Sequence, residues 1–203
     1  MKEGTAARRS PDVFGVAQAL ADAGFTVTDE AEFAARPASC LPVPAVLHRK
    51  VCALVRRLAP AGLYAHQVRA IEAVLAGDDV CLSTSTASGK SLVFIAAAAH
   101  MLLADPAARI LALYPAKALI QDQREKWQAL LGPLRLTTAF IDGSIRPPAA
   151  RLPILASNRV VLMTPDVAHA WLLGSLARPQ VRSFLTSLRL LVLDEDLPAV
   201  QPR

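Results

Sequence analysis

From Gly62 onward the chain alternates short apolar runs with longer amphipathic stretches, and no other feature restricts its fold as much. Val80–Ser83, Arg109–Tyr114, Leu136–Ile141, Val160–Met163 and Leu188–Leu193 have the length and composition of buried parallel strands. Between them, Lys90–Ala104, Lys117–Leu131, Pro165–Leu173 and Pro179–Ser187 read as helices, with Gly132-Pro133 ending the second sharply. This order predicts a doubly wound α/β domain with a mostly parallel sheet and flanking helices. At 203 residues the chain is long enough for one such domain with an extra lobe.

The first 60 residues read differently. Ser10-Pro11 predicts the start of a helix carrying Val13, Val16, Ala17 and Leu20 on one face, with Gly24 as its stop. Ala35–Pro44 carries three prolines and reads as a connector. Pro44 is expected to open a second helix whose apolar stripe is Val46, Leu47, Val51, Leu54, Val55 and Leu58. Its Arg49, Lys50, Arg56 and Arg57 fit a solvated face or a nucleic-acid contact. The expected organisation is a helical lobe over residues 1–60 and the α/β domain over 61–203.

Composition adds bounds. With 53% apolar and 19% charged residues the chain is globular. A net charge of +5 permits contact with polyanions without requiring it. Cys40, Cys52 and Cys81 form no CxxC pair and read as buried thiols of a reducing compartment. Leu92–Ala99, the longest apolar stretch, is too short to span a bilayer, and no apolar signal core follows Arg8-Arg9. These features predict a cytoplasmic protein with no membrane contact.

The chemistry concentrates in "STSTASGKS", residues 83–91. Gly89, Lys90 and Ser91 supply the second half of the pattern G-x-x-x-x-G-K-[ST], while Thr84 stands where its first glycine belongs. Ser85, Thr86, Ala87 and Ser88 complete a run of small residues between a strand-like segment and a helix. Backbone amides there can face an anion. A Ser/Thr-rich turn with a helix cap is the plainer alternative.

"LRLLVLDED" supplies a partner: an apolar strand delivers Asp194 and Glu195 to its C-terminal end, where open α/β sheets bind ligands. In a phosphate site Asp194 would hold Mg²⁺, together with the Ser91 hydroxyl, and Glu195 would polarise the attacking water. "LYAHQ", residues 63–67, precedes another amphipathic helix; Gln67 has the donor and acceptor needed for an adenine edge, with Tyr64 packed nearby.

Together these segments resemble the first RecA-like domain of superfamily-2 helicases of the DEAD/DEAH-box type, over about Leu63 to Glu195. "LYAHQ" is similar to their glutamine motif, "STSTASGKS" to motif I, "YPAKALIQDQ" to motif Ia, "IDGS" to the glycine turn that follows, "MTPD" to motif Ib and "VLDE" to motif II. The combination resembles the bacterial DNA-repair helicases of the mitomycin repair factor A type, relatives of RecQ-like helicases.

The resemblance implies an ATP-binding, Mg²⁺-dependent motor domain, with Lys90, Asp194 and Glu195 as the catalytic set. It also implies a nucleic-acid track, DNA in this family, lined by Pro115, Lys117, Gly143, Thr164 and Pro165. Two departures stand out: Ala116 replaces the motif Ia threonine, and Asp196-Leu197 replaces the usual end of motif II. Motif III, the second RecA-like domain and the arginine finger are expected beyond Glu195. The chain therefore reads as the amino-terminal piece of a longer helicase, unable to unwind alone and partnered by a motor domain on another chain. Its sheet is expected to be incomplete between the motif I and motif II strands. A non-catalytic nucleic-acid-binding remnant and a small-molecule kinase are the competing readings; the ordered series of motifs argues against the kinase.

Overall fold

The computed structural model describes residues 19–26, 39–84 and 88–194. The chain divides into two compact units, residues 1–37 and 38–203. In the first, residues 19–22 are helical and Gly24, at φ +84°, turns the chain so that the Phe25 amide donates back to the Leu20 carbonyl. That matches the expected stop; Ser10-Pro11, Val13, Val16 and Ala17 lie outside the described residues.

The second unit opens with a short antiparallel ribbon, β1 (Cys40–Leu41) with β2 (Leu63–Tyr64). Between them lies α1 (Arg49–Leu58). This helix begins five residues later than Pro44 predicts. Pro44 to Leu47 instead forms a turn, and His48 caps the helix by accepting the Lys50 amide on Nδ1. Val51 and Val55 are fully buried, whereas Val46 and Leu58 of the expected stripe are about half exposed. Thus α1 joins the core of the α/β unit.

Next come α2 (Ala65–Ala76), α3 (Lys90–Ala104), β3 (Arg109–Leu113), α4 (Lys117–Leu131) and β4 (Thr138–Ile141). They are followed by α5 (Arg151–Ser157), β5 (Val160–Met163), α6 (Pro179–Thr186) and β6 (Leu188–Leu193). The stretch expected as one helix from Pro165 is instead an α turn to Val167, a wider π turn over Ala168–Leu172 and a tight 3₁₀ turn over Leu173–Ser175.

Strands β4-β5-β3-β6 form one sheet in that order, every pair parallel. Side chains alternate across it. Ile110 and Ala112 face the cluster built with α1 to α4, where Ala96, Ala98 and Ala99 are completely buried and allow close approach of α3. Leu111 and Leu113 face the second cluster with Leu155, Trp171, Val181 and Phe184. Helices therefore cover both faces, the arrangement an all-parallel sheet requires.

Two expectations fail locally. Val80–Ser83 is not a strand: among the described residues no strand lies beside it, so its backbone has no ladder to join, and Val80 is 38% exposed. Accordingly β6 is an edge strand, with Leu191 and Leu193 about half exposed. Of the three cysteines, all free thiols, only Cys52 is buried; Cys40 on the ribbon and Cys81 in the unpaired segment are exposed. No helix among the described residues is long and apolar enough to cross a membrane.

Candidate functional site

Because the four strands are parallel and in register, their C-terminal ends share one rim. The turns leaving that rim carry Tyr114-Pro115, Asp142-Gly143, Thr164-Pro165 and Asp194. The Asp194 amide donates to the Leu113 carbonyl at 3.0 Å, and the Tyr114 amide donates to the Met163 carbonyl at 3.1 Å. Parallel pairing alone thus collects Pro115, Gly143, Thr164, Pro165 and Asp194 along one edge.

The described ends of the small-residue segment, Thr84 and Ser88-Gly89, are held by side chains of the segment itself, of α3 and of α2. Lys90, first residue of α3, donates from Nζ to the Thr84 carbonyl at 2.9 Å. Thr84 Oγ1 and Ser88 Oγ share a hydrogen bond of 2.6 Å. Gln67 donates from Nε2 to the Gly89 carbonyl at 3.0 Å and to the Ser88 carbonyl at 3.5 Å, while its Oε1 accepts the Tyr64 amide at 2.9 Å. Both ends of this buried amide are engaged. Gln67, expected to read an adenine edge, here pins the loop to the start of α2.

Gly89 explains how that is possible. Its φ is +77°, and a Cβ there would stand 2.3 Å from Gln67 Nε2. The glycine that the phosphate pattern demands is also the residue that admits Gln67. His66 adds a second hold from the same helix: Nε2 donates to the Ser88 carbonyl at 3.2 Å, and its ring stacks on Tyr64. Tyr64 is 41% exposed, leaving part of its ring open. Ser91 is half-buried at the second position of α3. Ser85, Thr86, Ala87 and Glu195 lie outside the described residues.

At the rim, Tyr114 is fully buried and its hydroxyl accepts a bond from Trp127 Nε1 at 2.8 Å. Burial pushes the phenol well above its usual range; the Trp127 bond opposes this and the Asp194 carboxylate reinforces it. Lys117, at the head of α4, pairs with Asp142 at 3.0 Å. Asp142 also accepts the Ser144 amide and hydroxyl, closing the turn around Gly143. The Ser144 hydroxyl and then Lys117 hold this carboxyl below the usual carboxylate range, against the opposing effect of burial.

Sequence reasoning missed Asp142 and His66. Asp142 carries the same signal as Asp194, an acid at the end of an apolar strand; His66 carries none, since its partner lies 22 residues away.

Asp142→Asn is expected to lower stability at neutral pH by about 1 kcal/mol through loss of charge-assisted bonds. The folded-state carboxyl titrates lower than the unfolded one, so its stabilisation is present above the unfolded value and vanishes as pH falls through the folded one. Urea unfolding of both proteins at descending pH should therefore show the gap closing below the ordinary carboxylate range.

The family model of the DEAD/DEAH box helicases matches residues 64–196, from Tyr64 to Asp196. The chain belongs to the DEAD/DEAH box helicase family. Among its relatives, the ATP-dependent helicase HRQ1 of Saccharomyces cerevisiae is 37% identical over 135 residues, which is 65% of this chain and 12% of that protein. The ATP-dependent helicase YprA of Bacillus subtilis is 27% identical over 165 residues, 81% of this chain and 22% of its own length. The crystal structure of the DUF1998 helicase MrfA bound to DNA and AMPPNP superposes with a TM-score of 0.72 at 28% identity. That match covers 79% of this chain and 22% of MrfA. The chain thus spans between 12% and 22% of the lengths of these relatives. The helicase family, the RecA-like fold and the likeness to the mitomycin repair factor A type, each expected from the motifs, are borne out.

Proposed function

We propose that this chain is the ATP-binding motor domain of a DNA helicase or translocase, taking Mg-ATP at the Thr84–Ser91 loop and a DNA backbone along the rim. One observation carries the reading: Lys90 at the head of α3 reaches back to the Thr84 carbonyl, and the Thr84 hydroxyl bonds that of Ser88. That donor set fits a polyphosphate. An ammonium and a helix start both favour negative charge. The Ser91 hydroxyl and Asp194 suit Mg²⁺, which binds through one or two protein oxygens with phosphate and water completing the shell. Among the described residues no cluster of three His, Cys, Asp or Glu offers a dedicated metal cage, in keeping with a metal that arrives with its nucleotide.

Bound magnesium neutralises charge on the phosphates during transfer. The chain's own residues do the rest: Lys90 meets the terminal phosphates, Glu195 orients the attacking water, and Tyr64 offers its open ring to the base. Gln67 keeps the loop in place from beneath. On the rim Lys117 binds backbone phosphate, with Gly143, Thr164, Pro165 and Pro115 shaping the path; such contacts position a strand and carry no sequence information. The bound state requires Lys117 to share its charge between Asp142 and a phosphate.

Anisotropy titration of a fluorescent ATP analogue with and without magnesium tests the nucleotide half. Filter binding of oligothymidine at several salt concentrations tests the other. A slope near −2 in log affinity against log salt is expected for roughly three phosphate contacts. A flat salt response would remove DNA from the proposal, and ATPase measured with and without DNA separates a motor from a binding remnant.

A further inference from the structure

Arg159 and Arg151 are both drawn into the fold, and they are used differently. Arg159 donates to the backbone carbonyls of Leu102, Asp105 and Ala108, as an arginine does when its task is to tie elements together. Arg151 is only 6% exposed, yet its Nε is buried without a hydrogen-bond partner. Among the described residues no carboxylate pairs with it. Its guanidinium instead lies over the Trp171 indole, 5.5 Å from the ring centroid. Enclosing a permanent charge without a counter-ion costs stability that a methionine of similar volume would not. Packing alone therefore gives no reason for an arginine at this position.

Its place in the fold supplies one. Arg151 opens α5, at the end of the segment that leaves β4 through Gly143 and a 3₁₀ turn over Pro148–Ala150. Trp171 belongs to the π turn that follows Thr164-Pro165 at the end of β5. The stacked pair therefore links the segments that follow two neighbouring strands, β4 and β5, past their rim ends.

We propose that Arg151 is a phosphate-binding residue of the nucleic-acid track, held flat on Trp171 so that its outer N–H groups meet a backbone phosphate. This rests on the rim being the DNA path. The aromatic face orients the guanidinium and a phosphate supplies the missing counter-charge. Stacking removes rotamer freedom in advance, so less is lost when the strand arrives.

The test compares oligothymidine binding by the unaltered chain, Arg151→Met, Arg151→Lys and Lys117→Ala across a salt series, with circular dichroism as a check on folding. Arg151→Met should bind about fivefold more weakly at low salt, with the slope reduced by about 0.7, the contribution of one single-strand phosphate. Arg151→Lys should keep the slope. A folded Arg151→Met with unchanged slope, beside a Lys117→Ala that does lose slope, overturns this inference and leaves the DNA reading standing. Salt-independent binding by the unaltered chain removes both. A measurement without a neutral variant covers the case in which Arg151→Met does not fold. The buried Nε–H resonance of Arg151, assigned by its loss in Arg151→Lys, should shift when oligothymidine is added. A bound strand that leaves it unmoved also overturns the assignment.

Discussion

Replacing Lys90 with alanine is expected to weaken magnesium-nucleotide binding about 10- to 150-fold while leaving the fold intact. The range follows from the ~1.5–3 kcal/mol that a hydrogen bond to a charged group contributes. Lys90 sits at the head of α3 with its ammonium on the Thr84 carbonyl, where a bound phosphate would take over as an acceptor. The variant keeps the buried face of α3, because that face runs from Val93 through Ala99 to Leu102. Thermal unfolding without nucleotide should therefore change little, and calorimetric titration with Mg-ATP should change greatly. Unaltered affinity would place the nucleotide somewhere other than this loop. Lys90→Arg is a useful companion, since its wider, planar head keeps the charge and loses the point-like fit.

The second large effect is expected from Gly89→Ala, at roughly 3 kcal/mol of stability. About 1–2 kcal/mol comes from holding a side-chain-bearing residue at positive φ. The remainder comes from Gln67, whose amide a methyl group at 2.3 Å must displace, leaving the Tyr64 amide without its partner and removing one donor each from the Ser88 and Gly89 carbonyls. The two contributions separate in a double-mutant cycle. Gln67→Ala alone should be costly, but in the Gly89→Ala background it should add little, giving a coupling of about 1 kcal/mol or more. Urea unfolding of the four proteins measures it. Additive losses would mean that Gln67 and Gly89 do not act as a unit.

Where the sequence was informative, the signal was periodic and local. The bounds of α3 and α4 are those expected from the 3.6-residue pattern, and four of the five apolar runs became strands of one parallel sheet. The motif residues Pro115, Gly143, Thr164, Pro165 and Asp194 fall along one rim because parallel pairing puts all strand ends there. What escaped depends on groups distant in the chain. Val80–Ser83 has a strand's composition, but pairing needs a neighbour, which no local pattern supplies. Pro44 has the φ of a helix start, yet the His48 side chain sets where α1 begins. The bonds of Gln67 to the Ser88 and Gly89 carbonyls, 21 and 22 residues away, likewise have no local signal. The helix expected from Pro165 widens into a π turn as Trp171 and Leu172 enter the second core cluster.

The outer face of β6 has a consequence for how this protein behaves in a tube. Leucines on an open ladder invite self-association, while a surplus of five positive charges keeps copies apart. Added electrolyte screens that repulsion and leaves the greasy contact untouched, so clustering should grow under the same conditions that loosen a polyanion. The two trends run in opposite directions, and light scattering recorded alongside each titration would keep one from being mistaken for the other.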